Sequence, residues 1–257
     1  MRVIINGREV QGMIGETILE TAKREGIYIP TLCHHPAFEG QGRCRMCLVE
    51  TVQNGAKRIV ASCTYPLTEE IDGMEVNTST PEIEEIRKDI IMLLYKQAPE
   101  SKLMQDLFNE YRCPENSLWE NQGERCILCN LCVKACEKMG TGAISQVMRG
   151  TEKRLATPYD EASPDCIGCV ACASVCPTDA IEMKEDFINR KRQIWHRDFE
   201  LVACARCGNL FATRNQLEFI AQYEGNSGEA IQYCESCRKK HAAETIAEFR
   251  QGIKDGH

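Results

Sequence analysis

Residues 126–136 read CILCNLCVKAC, and residues 166–176 read CIGCVACASVC. Both have the spacing C-x2-C-x2-C-x3-C, so the chain crowds four thiols into eleven residues and then does it again. Seventeen cysteines in 257 residues are several times the usual share, and an account of the two runs must also place the other nine. The first residues, MRVIINGREV, lack the basic stretch and apolar run of a secretory signal. No apolar segment approaches the roughly 18–20 residues needed to cross a bilayer. The sequence therefore reads as a soluble, cytoplasmic chain without membrane insertion. In a reducing cytosol disulfides rarely persist, and clustered cysteines serve as metal ligands or catalytic thiols. The net charge of −7 argues against a nucleic-acid partner.

The run spacing is that of bacterial ferredoxins, in which the fourth cysteine ligates the other cluster. Three cysteines at i, i+3 and i+6 wrap one cubane, and the fourth starts the following helix and points back to its neighbour. Cys126, Cys129, Cys132 and Cys176 are thus expected to hold one [4Fe–4S] cluster, and Cys166, Cys169, Cys172 and Cys136 the other. Zinc in both runs is the competing reading, although zinc sites usually pair two short C-x2-C knuckles. Pro177 follows Cys176 as the pattern expects, whereas Glu137 follows Cys136. An Ala-Ile pair trails each run (Ala143-Ile144 and Ala180-Ile181) and suggests a short strand after each; the first copy carries three more residues before it.

Upstream, Val3-Ile4-Ile5 and Glu9-Val10-Gln11 flank an Asn6-Gly7 hairpin signal. A short helix is expected from Thr17 to Arg24, ended by Gly26, with strands near 47–50 and 57–61. This unit holds Cys33, Cys44, Cys47 and Cys63, at intervals of ten, two and fifteen residues. A long gap, a C-x2-C and a distant fourth cysteine resemble plant-type [2Fe–2S] sites, apart from the long first interval. Gly40 and Gly42 between Cys33 and Cys44 let the backbone curl close enough to offer N–H groups to sulfur. A ligand from His34 or His35 would make a Rieske-like centre, but four cysteines already complete the set.

From Pro81, behind Thr80, apolar residues Ile83, Ile86, Ile90, Leu93 and Leu94 recur at helical spacing, and a second helix is expected from about Lys102 to Tyr111. These helices read as packing and spacer elements. RKRQIWHRD (190–198) reads as a solvated linker or, less readily, a docking strip. The tail carries Cys204-x2-Cys207-Gly208 and Cys234-x2-Cys237, the knuckle pair of a zinc ribbon; the same ligands would also hold a third [4Fe–4S] cluster. Thr213 to Gln216 looks like a capping box opening a helix, and a final helix is expected from about Lys239 to Phe249.

The stretch IPTLCHHPAFEGQGRCRMCLVE, with Cys63 beyond it, resembles the [2Fe–2S] domain of the large iron–sulfur subunit of respiratory complex I. That domain recurs in the diaphorase subunits of NAD-linked hydrogenases and formate dehydrogenases. The stretch from GERCILCNLC to CIGCVACASVCPTDAI is similar to the dicluster segment of the same family. The resemblance implies a β-grasp [2Fe–2S] domain (1–78) and a dicluster ferredoxin-like domain (121–190); with the helical linker (79–120) and the zinc-ribbon-like or [4Fe–4S] four-cysteine domain (191–257) read from the residues, the expected class is α+β. Family members often carry a further cluster held by one histidine and three close cysteines; that region here offers only Cys113, read as a buried free thiol. With a small cysteine domain in place of a large catalytic module up to residue 257, the sequence looks most like the small iron–sulfur subunit of a soluble, electron-bifurcating NAD(P)–ferredoxin transhydrogenase or a hydrogenase.

The chain shows no glycine-rich dinucleotide fingerprint, phosphate loop or nucleophile–base pair, so no active site of its own is expected. The expected partner in a hetero-oligomer is a flavoprotein subunit that handles NAD(P)H, with ferredoxin or a hydrogenase or formate dehydrogenase subunit beyond. The alternatives are a redox-sensing iron–sulfur regulator, for which a basic DNA-reading helix is wanting, and a self-contained enzyme.

Overall fold

In the computed structural model, which describes residues 1–115, 124–224 and 232–254, contacts gather the chain into two compact units. One comprises Met1–Ala135 with Cys172–Ile181, and the other Cys136–Ala171 with Glu182–His257. The expected domain boundary at 120/121 lies outside the described residues. Among these residues, no helix is long and apolar enough to cross a membrane.

In the first unit, strand β1 (Arg2–Ile5) turns at Asn6-Gly7 into β2 (Arg8–Gln11). Both turn residues take left-handed backbone, φ 51° and 77°, the conformation that a two-residue hairpin needs to match the twist of its strands. Thr17 caps α1 (Ile18–Arg24) in a reciprocal capping box with Glu20. Strands β3 (Leu48–Gln53) and β4 (Ala56–Ala61) form a second hairpin. The strand that sequence reading missed, β5 (Met74–Asn77), is the central one: it lies parallel to β1 and antiparallel to β3, giving the order β2-β1-β5-β3-β4. Four residues alternating Met-Glu-Val-Asn are too short a period-two signal to stand out, and tertiary pairing supplies the rest. Val3, Ile5, Val49, Met74 and Val76 from the sheet close a core with Ile18, Leu19 and Ala22 of α1. Each large apolar side chain among them contributes about 1.5–3 kcal/mol on burial. This is a β-grasp domain.

Helices α2 (Pro81–Gln97), capped by Thr80, and α3 (Lys102–Glu110), capped by Ser101, follow. Their apolar faces form a second core in which Ile91 and Met104 meet Leu32, Cys33, Cys44, Met46, Ile127 and Cys129. The helical segment is thus the packing floor beneath two cysteine-bearing loops. The short helices α4 (Leu131–Lys138) and α5 (Ala171–Ser174) carry cysteines of the two repeated runs.

In the second unit, β6 (Ser145–Val147) pairs with β7 (Arg154–Ala156). A four-stranded antiparallel sheet then runs in the order β11-β10-β9-β8. Its strands are β8 (Met183–Asp186), β9 (Lys191–Ile194), β10 (Arg197–Ala203) and β11 (Leu210–Thr213). Short strands thus follow both Ala-Ile pairs, as the repeat suggests. The basic run 190–198 is neither linker nor docking strip, which corrects the sequence reading. It forms β9, a turn at Trp195-His196 with both φ positive (49° and 61°), and the start of β10. Arg192 and Ile194 alternate inward, and the Arg192 charge is met at 2.7 Å by Glu185. A basic composition therefore conceals a half-buried strand. Helix α6 (Arg214–Glu224) opens on Thr213, whose Oγ1 accepts from Gln216 N–H at 3.1 Å. The last helix, α7 (Glu235–Lys254), begins four residues ahead of Lys239, within the second knuckle.

Candidate metal centres

Cys33, Cys44, Cys47 and Cys63 are all nearly fully buried, between 1% and 7% exposed. They come together as two pairs. The Cys47 and Cys63 sulfurs lie 3.4 Å apart, and the Cys33 sulfur accepts from Cys44 N–H at 3.3 Å while pairing with the Cys44 thiol. In each pair one thiol is held down and the other pushed up. Bonding from the Cys44 thiol, aided by the N–H groups of Cys44 and Arg43, lowers Cys33 to about 6 against the effect of burial. The Cys63 thiol lowers Cys47 to about 6 in the same way, while Cys44 and Cys63 are raised by those same bonds and by burial. Four buried sulfurs can all be thiolates only with a cation among them.

Two buried donors in this loop are orphans: Ser62 Oγ and Gln41 Nε2 find no nitrogen or oxygen partner. Ser62 stands beside the Cys47 sulfur. A buried hydroxyl beside a ligand sulfur fits a site that holds thiolate. Gly40 is needed for close approach, since a Cβ there would sit 1.8 Å from the Cys63 carbonyl oxygen. Gly42, φ 59°, offers its N–H to the Cys63 sulfur. The histidines are engaged elsewhere: His34 Nδ1 faces Lys23 Nζ at 3.0 Å, and His35 Nδ1 accepts from Ala37 N–H at 3.2 Å.

The two repeated runs share one backbone. Leu128 and Asn130 in the first, and Gly168 and Val170 in the second, occupy equivalent positions and all take positive φ. Such alternation turns successive N–H groups toward one centre, a nest suited to anionic sulfur. The N–H of Leu128 serves Cys126 and that of Leu131 serves Cys129; Gly168 and Ala171 serve Cys166 and Cys169 likewise. The Ala-Ile pairs now have a reason. Ala143 N–H donates to the Cys136 sulfur at 3.2 Å, and Ala180 N–H to the Cys176 sulfur at 3.3 Å. A threonine two residues before each alanine, Thr141 or Thr178, brings its hydroxyl to the same sulfur, so the three extra residues of the first copy are absorbed ahead of it. The expectation that the fourth cysteine opens the helix needs correction: the third, Cys132 or Cys172, lies in the helix, while Cys136 lies near the end of α4 and Cys176 beyond α5.

Burial pushes the thiols of Cys126 and Cys129 up, the latter to about 11, and the Cys176 charge adds to this. Cys132 is raised by burial and then by the charges of Cys129, Cys126, Cys172 and Cys176. Burial likewise raises Cys166 and Cys169; the added charge is that of Cys136 at Cys169, and of Cys169 and then Cys136 at Cys166. The crossed partners thus act on each other's runs.

The surroundings of the runs differ. In the first unit Leu128 O accepts from Arg43 at 3.3 Å, Asn130 donates to Gln41 at 3.0 Å, and Ile127 and Leu131 pack in the second core. In the second unit the four-stranded sheet stands behind the loop of Cys166. Arg192 donates to Gly168 O at 2.8 Å, Thr213 to Ile167 O, and Arg197 to the carbonyls of Ser163, Pro164 and Cys166. A Cβ on Gly168 would meet the Phe199 ring at 2.8 Å.

In the tail, the sulfurs of Cys204, Cys207, Cys234 and Cys237 all lie within 4.8 Å of one another, with Cys207 and Cys234 3.7 Å apart. A tetrahedral ion with metal–sulfur bonds of about 2.3 Å separates its ligands by about 3.8 Å. A cubane, whose four irons stand apart, spreads its thiolates further. Burial pushes Cys204 up, but N–H groups of Cys234, Cys207 and Arg206 outweigh it and bring the thiol to about 6; burial raises Cys237 to about 12. Arg206 ties this knuckle to α7 through Glu244 at 2.7 Å. Cys113 is half-buried rather than buried, and its thiol donates to Lys88 O at 3.6 Å.

Comparison with known proteins agrees with this geometry. Residues 1–81 match the 2Fe-2S iron-sulfur cluster binding domain, and residues 121–183 a 4Fe-4S dicluster domain. A second 4Fe-4S dicluster domain description matches 165–212, which reaches Cys204 and Cys207; the sulfur spacing of the full tail set nevertheless suits one ion. The chain is 32% identical over 183 residues to the NADH-ubiquinone oxidoreductase 75 kDa subunit of Reclinomonas americana, covering 61% of this chain and 26% of that one. It is 27% identical over 215 residues to NADP-reducing hydrogenase subunit HndD of Solidesulfovibrio fructosivorans, covering 70% and 36%. It is 30% identical over 205 residues to NADPH-Fe(3+) oxidoreductase subunit alpha of Geobacter sulfurreducens, covering 70% and 24%. The chain therefore spans about a quarter to a third of the length of these relatives. A solved NAD+-reducing [NiFe]-hydrogenase chain superposes with a TM-score of 0.53 at 28% identity, covering 61% of this chain and 74% of that one. The likeness to the complex I large iron–sulfur subunit and its hydrogenase relatives, drawn from the motifs, is shown.

Proposed function

We propose that the chain is an iron–sulfur electron-transfer subunit of a cytoplasmic, NAD(P)-linked multisubunit oxidoreductase. The observation that carries this reading is three sets of largely buried cysteines whose sulfurs accept from backbone N–H groups, in a chain with no dinucleotide-binding fingerprint. When bound, iron–sulfur clusters supply reversible one-electron transfer. The residues do the rest. Cys33 with Cys44, and Cys47 with Cys63, are the ligand pairs for the two irons of a [2Fe–2S] centre. Cys126, Cys129, Cys132 and Cys176 hold one [4Fe–4S] cluster, and Cys166, Cys169, Cys172 and Cys136 the other; the charge of Cys176 acting on Cys126 and Cys129, and that of Cys136 on Cys169, supports the crossing. N–H donation favours the reduced, more negative forms and burial disfavours them, and the balance of the two sets each potential. Cys204, Cys207, Cys234 and Cys237 hold a single structural zinc, supported by the 3.7 Å spacing.

The partner proposed is a flavoprotein subunit that handles NAD(P)H. Within this class the finer reading is an electron-bifurcating NAD(P)–ferredoxin transhydrogenase. The alternative is a diaphorase subunit of a hydrogenase or formate dehydrogenase, and the likeness to hydrogenase chains favours it. The test is anaerobic purification with co-eluting partners. The isolated chain should show dithionite-reducible [2Fe–2S] and [4Fe–4S] signals by electron paramagnetic resonance, and NAD(P)H should reduce them only with a flavoprotein present. Absence of reducible signals, or NAD(P)H oxidation by the isolated chain, would overturn the reading.

A further inference from the structure

Arg87, on the inner face of α2, is only 3% exposed, and two of its four hydrogen bonds go to the backbone on either side of Cys47. Nε donates to Met46 O at 3.1 Å, and one terminal nitrogen donates to both Leu48 O and Thr78 O at 2.8 Å. Met46 and Leu48 are the two neighbours of Cys47 in the chain. The other terminal nitrogen meets Glu84 at 2.7 Å, but Glu84 is 44% exposed, so solvent weakens the opposing charge. A guanidinium is always protonated, and a buried one is costly unless its surroundings use it. Carbonyl brackets alone would require only a donor. A permanent cation fixed behind a ligand cysteine does more, because it favours whichever state of the centre carries extra negative charge. The Met46 carbonyl also shares its peptide group with the Cys47 N–H, so a cation on that oxygen polarises that N–H.

We infer that Arg87 is a positioning residue for the [2Fe–2S] site that also raises its reduction potential, the cation being held behind Cys47 by a helix outside the β-grasp domain. This rests on the proposed function, in that it takes Cys33, Cys44, Cys47 and Cys63 to hold that cluster. The second core gives α2 its reason to sit there: Ile91 and Ala98 pack it against Leu32, Cys33 and Cys44, and Arg87 stands one turn before Ile91.

The experiment is a redox titration of the anaerobically purified chain with its partners, following each cluster by electron paramagnetic resonance. The variants are Arg87→Gln, Arg87→Lys and Glu84→Gln. Arg87→Gln should disfavour reduction of the [2Fe–2S] centre about tenfold, a fall of about 59 mV for one electron. Glu84→Gln removes the exposed anion and leaves the carbonyl bonds intact, so the potential should rise by a smaller amount. Arg87→Lys keeps the charge and should stay near the parent value. The two [4Fe–4S] potentials serve as internal references and should not move. Unmoved [2Fe–2S] potentials in both Arg87→Gln and Glu84→Gln would reduce Arg87 to a brace and overturn the inference. Should Arg87→Gln fail to assemble, Glu84→Gln decides alone, since a structural role predicts no shift from it. A parent chain without any [2Fe–2S] signal would overturn the proposed function, and this inference with it.

Discussion

The loops of Cys126 and Cys166 have the same cysteine spacing, the same left-handed positions and the same N–H donors, yet different surroundings. The first leans on apolar helices and the N-terminal loop, with Arg43 on one carbonyl. The second is gripped by Arg192 and Arg197 of the tail sheet, which together reach four carbonyls between Ser163 and Gly168. Ligation is thus dictated locally and repeats with the sequence, whereas the electrostatics of each loop comes from distant segments that do not repeat. The expected consequence is two clusters of different potential, with the second the more easily reduced, which a redox titration would read.

The largest effect should come from the cysteines themselves. Cys129→Ser, Cys136→Ser and Cys176→Ser should each remove about four of about ten irons per chain. Under crossed ligation the pair Cys129→Ser with Cys176→Ser still loses about four, because both serve one cluster. The pair Cys129→Ser with Cys136→Ser loses about eight. The reverse pattern, about eight irons lost by the first pair and about four by the second, would break the crossing, and iron analysis reads it directly.

Next in size is the grip on the second loop. Gly168→Ala should cost about 1–2 kcal/mol from its left-handed backbone alone, and more because the new Cβ meets Phe199. The melting temperature reports it. Arg197→Gln should lower the potential of the second [4Fe–4S] cluster and leave the first unchanged; equal shifts in both would dissolve the contrast between the loops.

The smallest effect belongs to a site remote from both. Burial pushes the Glu16 carboxyl up, but bonds from Arg24, Met13 N–H and Thr21 outweigh it and hold it below its usual value. A depressed carboxylate lends stability above its unfolded value that is lost as pH falls through the folded one. Glu16→Gln should therefore cost no more than about 1 kcal/mol at neutral pH, given a half-exposed Arg24, and nothing once the pH is below both values. Denaturant melts at pH 7 and in acid would show the difference shrinking; a constant difference would contradict it.

Much of this is legible in the sequence. Thr17, Thr80 and Thr213 cap the expected helices, Asn6-Gly7 turns the first hairpin, and all four cysteine sets stand out by spacing. What escapes is non-local. β5 is four residues whose strand character exists only between β1 and β3. The basic run 190–198 hides β9 because Arg192 is neutralised by Glu185, far enough upstream that composition alone gives no hint. Arg87 reads as one more charge on an amphipathic helix, since its carbonyl partners around Cys47 lie about forty residues away. The left-handed positions give little signal because Leu128, Asn130 and Val170 are not glycines, although Gly168 marks the equivalent site.

The central claim is that this chain carries three iron–sulfur clusters and one structural ion. The direct measurement is iron, acid-labile sulfide and zinc per chain after anaerobic purification. The expected result is about ten irons, about ten sulfides and one zinc. Few irons with zinc dominant would contradict the electron-transfer reading, and about fourteen irons without zinc would contradict the single ion assigned to the tail.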